Sequence, residues 1–180
     1  DDALVVNLFV ASEVVWKRAG GAVAIVQDTD YPATDAVRLT VREAGDGRFA
    51  IKLRIPAWAR GATVRVNGRA EAAAPGELAT VGRSWQAGDT IDLVVPQPLR
   101  TLSIDPENPK VAALMRGAVM YVGLNPWDGI EQQPINLPGS LSPVAGSRQA
   151  YRSEIGGRDL VFVPYFTIDT ERYNTYFTIA

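Results

Sequence analysis

Any chemistry in this sequence has to run on carboxylates. The 180 residues contain no His and no Cys. That removes thiol nucleophiles, Ser-His-Asp triads, the usual neutral-pH general base and every Cys/His metal site. Asp28 and Asp30 sit two apart in a loop beside Tyr31, as a glycosidase pair or a cation loop would. Two carboxylates fall short of the oxygen-rich shell that Ca²⁺ takes, and Asp at such positions ordinarily caps turns. Asp105 and Glu107 flank Pro106 in a polar corner, and Asp89 and Asp92 straddle a turn and a strand start. These too read as turn chemistry. The sequence therefore assigns no catalytic, cofactor-binding or metal-binding residue.

Aromatic rings are the second source of chemistry, because they stack on sugars. Of the four Trp residues, Trp58 follows Ile55-Pro56 and Trp85 precedes a turn, so both read as packing at strand ends. Trp16 ends a strand and is expected to pack as well. Trp127 lies in the irregular Asn125-Pro126-Trp127-Asp128-Gly129 and is the Trp expected to be exposed. Trp127, with Tyr31, is the candidate for contact with a ligand or another domain. The glycine pairs Gly20-Gly21 and Gly156-Gly157 are turns, with no helix after them to hold a phosphate.

The elements that must position these residues are strands. Phe49, Ile51, Leu53 and Ile55 alternate with Ala50, Lys52 and Arg54, giving one apolar and one wet face. Val64 and Val66 alternate likewise, and Asn67-Gly68 supplies the φ > 0 pair of a tight hairpin. Ala87-Gly88-Asp89 makes another turn before the row Ile91, Leu93 and Val95. Upstream, Leu4–Val10 reads as a strand buried on both faces or lying under another layer, followed by strands around Val14–Trp16, Ala22–Gln27 and Val37–Val41. Val111–Leu114 and Ala118–Leu124 flank Arg116-Gly117 as one bulged strand or two. Between Asn125 and Gly157, Pro126, Pro134, Pro138 and Pro143 break the pattern. Order returns at Asp159–Phe166 and Arg172–Ile179.

No convincing helix is present, so the fold class is all-β: an antiparallel, jelly-roll-like β-sandwich with a long irregular excursion and a returning C-terminal strand. The expected organisation is a main sandwich over residues 1–124, an excursion or small subdomain over 125–157, and strands over 158–180 that return to the sandwich. Arg172–Ile179 is expected to pair with the sheet containing Leu4–Val10. The chain starts immediately before a strand with no signal peptide, and reads as a piece of something longer.

Composition fits a globular domain. Hydrophobic residues make up 47% and charged residues 21%, and 18 basic against 20 acidic side chains leave a net charge of -2. There is no basic footprint, so neither nucleic acid nor an anionic membrane is expected as a partner. No apolar run approaches a membrane span.

The order of motifs carries a family resemblance. Leu4-Val5-Val6-Asn7-Leu8-Phe9, Ser12-Glu13-Val14, Trp16, Gln27 with Thr29 and Tyr31-Pro32 come first. Leu53-Arg54-Ile55-Pro56-Ala57-Trp58-Ala59, Val66-Asn67-Gly68, Pro75-Gly76, Arg83-Ser84-Trp85, Gly88-Asp89 and Arg116-Gly117 follow. This series resembles the region after the catalytic barrel in bacterial β-L-arabinofuranosidases of glycoside hydrolase families 127 and 146, the former DUF1680 group. The resemblance implies an (α/α)6 barrel elsewhere in the parent protein, carrying a Glu acid/base and a Cys nucleophile in a zinc-thiolate cluster. None of those residues maps onto this chain, so no cofactor is expected on it. The implied partners are the catalytic barrel of the same polypeptide and a second subunit. The family pattern Gly-Pro-Leu-Val-Tyr is replaced here by Gly117-Ala118-Val119-Met120-Tyr121, and the strand after Pro164-Tyr165-Phe166 also departs from it. The expected role is a non-catalytic module of a hydrolase acting on arabinofuranosides or related plant or bacterial glycans, inert alone. The alternative is a carbohydrate-binding module using exposed aromatics. A secreted or periplasmic and a cytoplasmic location fit the sequence equally.

Overall fold

The structure is a computed structural model that describes residues 3–147 and 149–180. It is all-β, as the alternation demands, and the two short 3-10 turns among the described residues are Ile130–Gln132 and Tyr165–Thr167. The chain divides into two compact units, Asp1–Gln97 and Pro98–Ala180. The boundary thus falls near residue 97 and not at 124, because each unit closes its own core.

In the first unit the strands are β1 (Ala3–Val6), β2 (Ser12–Arg18), β3 (Gly21–Asp28), β4 (Ala36–Glu43), β5 (Arg48–Arg54), β6 (Thr63–Val66), β7 (Arg69–Glu71), β8 (Leu78–Ser84) and β9 (Thr90–Val94). Among the described residues they form two sheets, β1-β5-β8 and β2-β3-β4-β9-β6-β7. Both sheets bury their inward rows in one core. Val37, Leu39 and Val41 of β4 meet Phe49, Ile51 and Leu53 of β5, and Ile91 and Leu93 of β9 join them. These are the apolar positions of the period-2 pattern, since every second side chain of a strand faces the same side. The turn at Ala87-Gly88-Asp89 does not join neighbours in one sheet. It instead carries the chain from β8 in one sheet to β9 in the other. The strand expected over Leu4–Val10 ends at Val6, and among the described residues it pairs only with β5, in parallel, Ala3 facing Ala50. It is an edge strand and not a doubly covered one.

Turn chemistry locks the far end of this unit. Asn67 and Gly68 both have positive φ, +48° and +81°, and close the β6–β7 hairpin. The Asn67 side chain donates to Asp89 Oδ1 at 2.7 Å and accepts from the Thr90 amide at 2.9 Å. The other Asp89 oxygen accepts from the Gln86 amide at 2.9 Å. Desolvation works to raise the Asp89 pKa, but these hydrogen bonds and the Arg83 charge outweigh it and hold the carboxyl below its ordinary value. A Cβ at Gly68 would touch nothing, so Gly68→Val tests backbone strain alone. It is expected to destabilise the protein by about 1–2 kcal/mol in thermal or urea unfolding. Unfolding indistinguishable from the parent would mean that the left-handed turn is not formed.

The second unit holds β10 (Leu99–Ser103), β11 (Val111–Arg116), β12 (Val119–Leu124), β13 (Ser142–Pro143), β14 (Tyr151–Ile155), β15 (Arg158–Pro164), β16 (Tyr173–Asn174) and β17 (Tyr176–Thr178). Arg116-Gly117 closes a hairpin between two strands. The sheet runs β10-β11-β12-β15-β14-β13 among the described residues. β11 and β12 pair only near their turn, at Leu114 to Arg116. Where the hairpin opens, the chain end enters: β17 pairs with β11 at Val111 to Ala113, and β16 pairs with β12 at Gly123 and Leu124. The expected return to the sheet of Leu4–Val10 therefore does not form. Unsatisfied strand edges inside the second unit take the chain end instead, with Phe177 anchoring it in a core of Leu114, Tyr121, Leu160 and Phe162. The excursion is less irregular than its prolines imply. Ile130, Ile135 and Leu137 are buried in the same core, and Ile135 bridges to Ile179.

Candidate functional site

The acidic residues sit in turns or on the surface. The Asp30 carbonyl accepts the amides of Ala33 and Thr34, at 2.7 and 3.3 Å, and Thr29 Oγ1 donates to the Ala36 carbonyl at 2.7 Å. Both carboxylates are exposed on this loop. Asp92 pairs with Arg38 at 2.6 Å on the surface. Asp105 accepts from the side chain and backbone of Asn108, which together hold its pKa below the ordinary value. Among the described residues no group of three or more acidic side chains gathers as a metal site. With no thiol or imidazole in the chain, these residues do not fit the zinc that the resembling family carries in its barrel.

The two aromatics singled out in sequence lie in different units, and each is half-buried against its own core. Tyr31 packs edge-on to Phe9 at 5.3 Å, and burial, partly opposed by Arg54, pushes its hydroxyl pKa up. Trp127 packs on the second core with the Arg158 guanidinium 5.1 Å from its ring. Trp85 is buried, and Trp16 meets Phe49 edge-on at 5.7 Å. The exposed aromatics among the described residues are others, Tyr176 included. Tyr165, Phe166 and Tyr173 stand on the surface of the second unit, with the Tyr165 and Tyr173 rings 5.7 Å apart and near perpendicular. A hydrogen bond to Tyr165 raises the Tyr173 pKa. The sequence signal was there, in Pro164-Tyr165-Phe166 and Tyr173, but nothing local separates a surface Tyr from a buried one.

The first unit has a more concentrated feature. Its two sheets leave an opening where β1 and β2, the end strands of their sheets, come together. A cleft of about 330 Å³ lies there, lined by apolar side chains of residues 4–6, Leu8, Val14, Ile25 and Leu39 together with the polar Asn7, Ser12 and Gln27. Apolar side chains in and near it are exposed. Leu8 is 68% exposed, and Val5, Val10 and Val15 are also open to solvent. Scattered apolar residues on a surface are ordinary, but here several stand on and beside two edge strands, where a further layer of protein can add.

The family model described as the Beta-L-arabinofuranosidase, GH127 middle domain matches residues 3–97. The chain belongs to this family. The matched stretch coincides with the first unit, so the GH127 middle domain is the part that carries the cleft. Solved structures share the fold of the whole chain. A protein described as a glycoside hydrolase is 23% identical with a TM-score of 0.78, over 98% of this chain and 36% of its own. A GH127 beta-L-arabinofuranosidase from Geobacillus stearothermophilus T6 is 24% identical with a TM-score of 0.78, over 99% of this chain and 34% of its own. A GH127 beta-arabinofuranosidase is 20% identical with a TM-score of 0.76, over 100% of this chain and 35% of its own. This GH127 chain spans about a third of the length of those structures. No curated protein matches it.

Proposed function

We propose that the chain is a non-catalytic module of a glycoside hydrolase acting on arabinofuranosides or related glycans, and that it supports a catalytic barrel on the same polypeptide. The observation that carries this reading is the match to a GH127 middle domain, whose edge strands β1 and β2 have exposed Val5, Leu8, Val10, Val14 and Val15 on and beside them. A face built on two unpaired edges is covered by another layer of protein in a stable assembly, because water competes poorly for its valines and leucines. Hydrogen exchange tests it. In the longer polypeptide that includes the barrel, amides of Leu4–Trp16 are expected to exchange at least tenfold more slowly than in the 180-residue chain. The 180-residue chain is expected to release no chromophore from an aryl arabinofuranoside. Equal exchange in the two proteins overturns the docking, and turnover abolished by a substitution within this chain overturns the non-catalytic role.

One observation favours a second reading, that of a carbohydrate-binding surface: Tyr165, Phe166 and Tyr173 are exposed together. Heat on titration with arabino-oligosaccharides, lost in Tyr173→Ala, would support it over the first.

A further inference from the structure

Asn67-Gly68 is the single Asn-Gly step in the sequence, and in an unfolded chain that dipeptide is chemically unstable. The unhindered Gly68 nitrogen attacks the side-chain carbonyl carbon of Asn67. A C–N bond forms there, the bond to Nδ2 breaks, and Nδ2 leaves as ammonia with the proton of the Gly68 amide. Water then opens the five-membered succinimide at one of its two carbonyls, leaving an aspartate or an isoaspartyl link at position 67.

The fold opposes this reaction at two points. Ring closure needs the Gly68 nitrogen and Asn67 Cβ on the same side of the Cα–C bond. Asn67 has φ +48°, and in that left-handed region ψ is about +47°, which by tetrahedral geometry sets the nitrogen nearly opposite Cβ. The side chain is also tied by both of its polar atoms. Nδ2 donates to Asp89 Oδ1 at 2.7 Å, and Oδ1 accepts the Thr90 amide at 2.9 Å. The Asn67 backbone amide adds a third tie, to the Thr90 carbonyl at 3.0 Å. Asn67 and Gly68 are both exposed to solvent, so geometry protects this step and burial does not.

We propose that Asn67 is a latent deamidation site, kept inert by the left-handed turn of the β6–β7 hairpin and by its clasp to Asp89 and Thr90, and that it converts irreversibly when this corner opens. Conversion then keeps the clasp from forming again. Asp89 is a carboxylate, its pKa below the ordinary value although desolvation works to raise it. An aspartate at position 67 sets a second carboxylate against Asp89 Oδ1 where a donor stood. The cations at this corner are engaged elsewhere: Arg83 lies 3.8 Å from the other Asp89 oxygen, and Arg65 donates to the Gly68 carbonyl at 3.1 Å. An isoaspartyl link adds a backbone atom to a two-residue loop whose length the β6–β7 register fixes. Neither product has an amide to donate to Asp89, so the tie between this hairpin and the start of β9 is lost.

Mass spectrometry of the peptide containing Asn67 reads the conversion as the gain in mass from amide to acid. At mildly alkaline pH, which speeds the attack, the folded 180-residue chain is expected to convert at least about tenfold more slowly than the same chain unfolded in guanidinium chloride, because only the open form reacts. Asp89→Ala removes one tie and leaves the turn, and its folded rate is expected to fall between those two. Should that variant fail to fold, the parent's two rates still decide. Equal rates in the folded and unfolded chain, or no conversion at Asn67 in the unfolded one, would overturn the proposal. Asn67→Asp, the aspartyl product made directly, is expected to unfold at a lower urea concentration than the parent; an unchanged midpoint would overturn the loss of the clasp.

Discussion

Phe177→Ala is expected to lower the stability of the C-terminal unit by about 3–5 kcal/mol. Phe177 is 1% exposed, and its ring lies 5.2 Å from that of Phe162. β17 is a three-residue strand, so its backbone ladder on β11 is short and the side chain must anchor it. The ring fits because Gly123 beneath it has no side chain. A Cβ there would lie 2.9 Å from Phe177 Cζ and 2.7 Å from Leu160 Cδ2. That bare backbone cannot swing in to fill the hole left by the truncation, so the cavity stays and the cost sits at the high end of its range. Urea unfolding reports the loss, and amide protection at Val111–Ala113 should fall with it. A change under about 1 kcal/mol would show that the chain end lies outside the second core.

Trp85→Ala is expected to cost the first unit a comparable amount, about 3–5 kcal/mol. Trp85 is buried where the chain leaves the β1-β5-β8 sheet for the other one. Its indole N–H donates to the Phe49 carbonyl at 3.3 Å, and its ring lies 6.2 Å from that of Phe49. Truncation opens a cavity at the crossing and removes a donor from the Phe49 carbonyl. Trp85→Phe keeps most of the volume without the donor, so the difference between the two variants separates packing from the hydrogen bond, the latter worth about 1 kcal/mol. Two variants that unfold together in urea would contradict that division.

Much of the strand content was legible because period-2 alternation is written in local sequence. Phe49 to Ile55 and Val37 to Val41 face inward as their pattern requires, and Asn67-Gly68 makes the turn its residue types demand. Partner choice is a different matter. Nothing in Leu78–Ser84 or Thr90–Val94 says that these neighbours join different sheets, because alternation fixes a face without naming what covers it. The C-terminal strands were misplaced for the same reason. Their destination depends on where the β11–β12 hairpin opens, which is a property of the folded sheet. The prolines of the excursion hid the buried Ile130, Ile135 and Leu137, since Pro marks a broken ladder and says nothing of burial. The cleft was invisible too. Gln27 reads as one polar residue near the end of an apolar strand, and only the structure shows its nitrogen spent on two carbonyls and its oxygen left over.

The parallel pairing of β1 with β5 sets an order of assembly. A parallel neighbour cannot be reached by a hairpin, and here the intervening chain, β2 to β4, lies in the other sheet. The β2–β3–β4 meander closes through adjacent antiparallel contacts, at small loop-closure entropy, whereas β1 must wait for a distant strand to be in place. β1 is therefore expected to be among the last pieces to dock and among the first to come away, and it lines the cleft. Whatever seats itself in that opening also fastens the latest-folding strand, so occupancy would register as slower unfolding more than as faster folding.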